Sequence, residues 1–105
     1  MRVIAGFPSR EIEHFGSQGF THSRLARGDV HVSLAELDGV IGGHEAASRQ
    51  LLVVLRGAVV VSTRTETVEL AEGAAVEWAQ GEWHETRGQA LVLIVEGDFE
   101  PFEAE

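Results

Sequence analysis

Cysteine is absent from all 105 residues, which excludes disulfides and thiolate metal ligands together. Long apolar runs are also missing: a stretch such as Leu51–Leu55 falls far short of the ~20 residues a membrane helix needs. The opening MRVIAGFPSREIEHF has no apolar segment followed by a small-residue cleavage site, so no signal peptide is expected. A cytoplasmic protein is the expectation. Basic residues are few, 8 against 17 acidic, for a formal charge of -9, and they are scattered from Arg2 to Arg87 without forming a run. Phosphate backbones and anionic lipid surfaces repel such a chain. Neither nucleic acid nor membrane is therefore expected as a partner. No internal repeat, phosphate loop, Ser-His-Asp arrangement or coiled-coil heptad is visible, and no segment has the period of an amphipathic helix.

What is present is β-patterned. The length sets a single domain able to bury one core. Residues 1–24 read as an N-terminal arm, with a short helical turn after Pro8 and a short strand from Phe20 to Leu25; His14 and His22 lie there as surface or packing histidines. Arg27-Gly28-Asp29 is a turn. Residues 25–96 carry the strands, and residues 97–105 an acidic tail with Phe99 and Phe102 as anchors. Val30 to Leu37 alternates strictly, with Val30, Val32 and Leu34 on one face and His31, Ser33 and Ala35 on the other. That is the pattern of a half-buried strand. Its small, polar second face suits a cavity wall and makes His31 a pocket candidate, although a histidine bonded across the sheet fits as well.

Asp38 to Gly43 reads as a glycine-rich loop that delivers His44. Gln50 to Arg56 is almost continuously apolar, as in a strand covered on both faces. Gly57 is read as a break, with a new strand from Ala58 to Thr63, a hairpin loop at Arg64-Thr65-Glu66 and a return from Thr67 to Leu70. Ala90 to Val95 is a further apolar strand. The count is about eight to ten short strands with frequent turns, which implies an all-β sandwich or barrel.

The stretch Gly73-Ala-Ala-Val-Glu-Trp-Ala-Gln-Gly-Glu-Trp-His84 places glycines at two turns, where positive φ is cheap, and puts a histidine three residues after the second. Its spacing resembles the second motif of the cupin family, which usually has Pro at the position of Ala79 and Asn at that of Gly88. Upstream, His44, Ala46, Gln50 and Gly57 match the spacing of the first cupin motif, with Ala46 in place of its second histidine and Gln50 in place of its glutamate. A longer spacing would instead put Gly43 and Glu45 at the two histidine positions. The resemblance spans Val30 to Val95 and implies a double-stranded β-helix, or jelly-roll, barrel.

In the family these positions hold one divalent metal, commonly iron, manganese, nickel or zinc. The resemblance thus implies His44, Gln50 and His84 as ligands, with water or a small-molecule ligand completing the shell. Alternatively, the same three residues are hydrogen-bonding groups of a metal-free pocket. Glu45 is the candidate general base. Glu82 and Glu85 do not share the strand face of His84. Leu52 and Val54 have the parity of Gln50 and are expected to make the pocket wall apolar. Trp78 and Trp83 are read as closing a core or a subunit contact. Small cupins are often homodimers, and the apolar strands at Leu51–Leu55 and Leu91–Val95 are consistent with an outer face wanting cover. Two function classes remain open: a metal-dependent oxygenase or isomerase, and a non-catalytic small-molecule binding barrel.

Overall fold

The computed structural model describes residues 5, 8–26 and 28–100. Phe102 and Arg27 lie outside the described residues. Seven strands are joined in one antiparallel sheet: β1 (Ser9–Glu11), β2 (Gln18–Ala26), β3 (Val30–Glu45), β4 (Arg49–Ser62), β5 (Thr67–Ala71), β6 (Ala75–Trp78) and β7 (Trp83–Gly97). A 3₁₀ turn at His14–Gly16 lies between β1 and β2. The strand order is β1-β2-β3-β7-β4-β5, and β6 also pairs with β4. The fold is all-β, a jelly-roll barrel.

The strands are fewer and longer than the sequence suggests. β3, β4 and β7 run for 16, 14 and 15 residues, so the loop expected at Asp38–Gly43 is strand, and Gly57 bends β4 without ending it. Gly39 and Gly88 face each other in the β3–β7 register, with φ of 152° and 149°. A Cβ on Gly88 would lie 2.4 Å from the Ala58 carbonyl oxygen, and one on Gly39 would lie 2.1 Å from that of Gln18. Side-chain-free backbone at these points lets each long strand turn a corner and serve both walls of the barrel. The N-terminal arm also joins the sheet: β1 pairs with β2, and β2 with β3. The segment after Pro8 is strand, and the helical turn comes later, at His14.

Alternation decides what faces inward. The register aligns Arg10, His22, Ala35, Val92 and Val54 across five strands, and the last three are fully buried. A row four residues along aligns His31, Glu96, Gln50 and Trp78. Around these rows Phe20, Leu37, Ile41, Leu52, Val59, Val61, Leu70 and Ile94 close the core. Each fully buried aliphatic side chain stabilises the fold by about 1.5–3 kcal/mol. At the β4–β5 hairpin Thr63 Oγ1 accepts from the backbone N–H of Thr65 and of Glu66, at 3.3 Å each, so the expected loop is a capped turn. Phe99 is half-buried, with the Arg49 guanidinium 5.9 Å from its ring centre.

Candidate functional site

The site begins where β3 ends and β7 starts. His44 and His84 are directly opposed in the register, and their rings tilt toward each other with centres 4.6 Å apart. Gly81, at φ 84°, makes the turn that leads into His84. Two aromatic rings extend this pair. Trp78, brought alongside by β6, stacks on His84 at 4.0 Å and 17°. Phe15, on the 3₁₀ turn, stacks on His44 at 4.4 Å and 12°.

Both imidazoles have a defined tautomer. His44 Nδ1 lies 2.8 Å from the Gly42 carbonyl oxygen, and His84 Nδ1 lies 3.2 Å from that of Glu82. A carbonyl only accepts, so each Nδ1 carries a proton and donates it to the backbone. His84 is only 3% exposed, and burial pushes its pKa below the ordinary 6.5. The Glu82 carbonyl opposes that shift and His44 adds to it. The ring is therefore neutral at pH 7.

Gln50, on the buried face of β4, donates from Nε2 to Glu96 Oε1 at 2.7 Å. Among the described residues no buried side-chain nitrogen or oxygen lacks a partner, and Gln50 lines a cavity. That cavity, of about 270 Å³, is lined by both histidines, Gln50, Trp78, Thr86, Phe15 and Glu96, with Ile12, Phe20, Ile41, Leu52 and Ile94 as its apolar wall and Arg10, His14 and His22 completing it. Burial also lowers the pKa of His22, with Glu96 opposing the shift and Arg10 and Arg24 reinforcing it. A larger groove of about 480 Å³ runs over Thr21, Glu36, Arg56 and Gln89, but it contains no histidine.

The three residues of the expected ligand set are brought together, and Leu52 lines the same space. The other expectations fall elsewhere. Val54 is wholly buried in the core and does not reach the cavity. His31 has the inward parity but sits exposed near the start of β3, outside the cavity. Glu45 follows His44 in the same strand, so alternation sends it to the opposite face, where it is exposed beside Thr63, Arg64 and Trp83. It is not placed to act as a base. Glu82 Oε1 accepts from the backbone N–H of Ala79 and Glu85 pairs with Arg87, so neither joins the site. Trp83 carries the Arg64 guanidinium 4.8 Å over its ring.

Sequence reading missed Trp78, Phe15, His22 and Glu96 as cavity residues. For Glu96 a signal exists: it continues the alternation of Val92 and Ile94 at the end of the strand region. For His22 the signal was its spacing of two from Phe20.

No known family description matches the sequence, and no curated protein matches it significantly. Solved structures do. A polyketide cyclase, RemF from Streptomyces resistomycificus, superposes with a TM-score of 0.78 at 18% identity, covering 91% of this chain and 78% of that one. KdgF from Halomonas sp. gives 0.73 at 20%, covering 87% and 92%. A protein containing a cupin-2 domain, from Shewanella frigidimarina, gives 0.64 at 19%, covering 70% and 76%. At these identities the likeness is one of fold.

Proposed function

Starting from the cupin fold of this chain, we propose that it binds a small, partly apolar organic molecule in the cavity, beside a divalent metal ion held by His44, Gln50 and His84. One observation carries the reading: the Nδ1 atoms of both imidazoles are tied to backbone carbonyls, so that Nε2 is the ring nitrogen left to ligate. Metal-bound histidines are held in the same way, the second ring nitrogen fixing tautomer and orientation. The Gln50 amide oxygen adds a third donor. The donor set of two nitrogens and one neutral oxygen suits iron, nickel or zinc, and manganese less well.

All three donors are uncharged, so an ion held by them keeps its full charge and open positions for water or ligand. Such an ion polarises a ligand oxygen or lowers the pKa of bound water. The chain itself supplies a wall of Leu52, Ile41, Ile94 and Phe20 against which an apolar body packs, and Trp78 and Phe15 stack on the two imidazoles. An oxygenase or isomerase activity fits this arrangement.

A second reading has its own support. The three donors include no carboxylate or thiolate, so metal affinity has no charged ligand to draw on. On that reading the same Nε2 and amide oxygen atoms act as hydrogen-bond acceptors for a ligand in a metal-free, non-catalytic barrel. Elemental analysis of the purified protein and its His84→Ala variant separates the two. Stoichiometric metal in the first and none in the second supports the metal reading; no metal in either, even after soaking with Ni²⁺ or Zn²⁺, removes it.

A cytoplasmic homodimer is part of the same proposal. No helix among the described residues is long and apolar enough to cross a membrane. Leu55 and Val60 are exposed on β4, and exposed apolar side chains there favour a subunit contact.

A further inference from the structure

The position that carries a glutamate in the first cupin motif is Gln50 here, and a carboxylate sits one strand away. Gln50 and Glu96 are cross-strand partners on β4 and β7; both line the cavity, and Gln50 Nε2 donates to Glu96 Oε1 at 2.7 Å. Glu96 is the one carboxylate on the cavity wall among the described residues. We propose that Glu96 is the positioning residue of the site: it fixes the orientation of the Gln50 amide so that Oε1, not Nε2, faces His44 and His84. This rests on the metal reading above and deepens it.

The physical basis is the asymmetry of the amide. Its NH₂ end only donates and its oxygen only accepts. A carboxylate beside it is satisfied by the NH₂ end and repels the oxygen, so one of the two amide orientations is strongly preferred. The preferred one leaves a ligand atom on the cavity side; the flipped one would present two N–H groups to the place where a cation binds. The hydrogen bond also draws electron density toward the amide oxygen, which strengthens a neutral donor near a cation. Glu96 thus supports metal binding without itself being a ligand.

The test is titration of metal-free protein with Ni²⁺ by calorimetry, using four proteins: wild type, Glu96→Gln, the double variant Gln50→Glu/Glu96→Gln, and His84→Ala. In Glu96→Gln the partner at position 96 is itself an amide and accepts either orientation of Gln50, so affinity falls about tenfold to a hundredfold, the range for losing an outer partner of a ligand. In the double variant the cross-strand hydrogen bond keeps both partners with its direction reversed and the net charge unchanged, while the carboxylate moves to position 50. Affinity there is expected to exceed wild type by at least tenfold. Melting curves accompany each titration, so a loss of affinity is read only from folded protein.

Wild-type affinity retained in Glu96→Gln overturns the inference and leaves the metal reading intact. A double variant that binds no tighter than wild type also overturns it. No binding in wild type with binding in the double variant overturns the metal reading of the natural chain and the inference with it. No binding in either overturns both.

Discussion

Replacing His84 by alanine in chelator-treated protein should destabilise the fold moderately, and the loss should shrink as the pH falls. The imidazole is 3% exposed and stacked 4.0 Å from Trp78, a contact worth about 0.5–1.5 kcal/mol. Its Nδ1–H bond to the Glu82 carbonyl adds about 0.5–1.5 kcal/mol. The space vacated joins an existing cavity, so the collapse penalty of a sealed core position does not apply. Together these give about 1–3 kcal/mol at pH 7.5, a fall in Tm of roughly 4–24 °C for a chain of this size.

The pH dependence follows from linkage. Burial holds the His84 pKa below 6.5 in the folded state, whereas the unfolded chain takes up the proton near 6.5. Wild type therefore loses stability as pH drops below about 6.5, and the loss levels off below the depressed folded-state value. The variant lacks that term, so the gap between the two proteins narrows between pH 7.5 and pH 5. Thermal unfolding followed by circular dichroism measures it directly. A gap that stays constant, or widens in acid, would refute the assignment of His84 as a neutral, buried imidazole.

Other consequences are sharper in stability than in chemistry. Leu52→Ala removes a side chain that is both core and cavity wall and should cost about 2–5 kcal/mol by denaturant titration; a loss under about 1 kcal/mol would mean that Leu52 does not pack as described. Gly88→Ala puts a Cβ 2.4 Å from the Ala58 carbonyl oxygen at a φ of 149°, so the bend between the two walls cannot form unstrained; soluble, cooperatively folding protein with wild-type Tm would contradict that role. The proposed homodimer predicts twice the 11.4 kDa chain mass by light scattering at micromolar concentration. Charge placed on the exposed face, as in Val60→Glu, should return it to the monomer.

Much of the architecture was legible because strands advertise themselves by alternation. Parity alone separated His31, Ser33 and Ala35 from Val30, Val32 and Leu34; Ser33 and Ala35 are buried, the second set is half-buried, and His31 is exposed at the strand's start. Glycine was the misleading signal. Gly39, Gly57 and Gly88 have the composition of breaks, yet each is held inside a strand by pairing on either side, and local sequence carries no information about that pairing. The same limit applies at the site. Spacing brought out His44, Gln50 and His84, whereas Trp78 and Phe15 reach the imidazoles only through strand order and a turn that folds back over β3. Glu45 illustrates the reverse error: adjacency in sequence suggested adjacency in space, and strand alternation turned it outward.

The most direct test of the central claim is anomalous diffraction from crystals soaked in Zn²⁺ or Ni²⁺. The account predicts a single strong peak per chain within bonding distance of His44 Nε2, His84 Nε2 and Gln50 Oε1. No peak in the cavity, or one bound by Glu96 with the two imidazoles turned away, would contradict it.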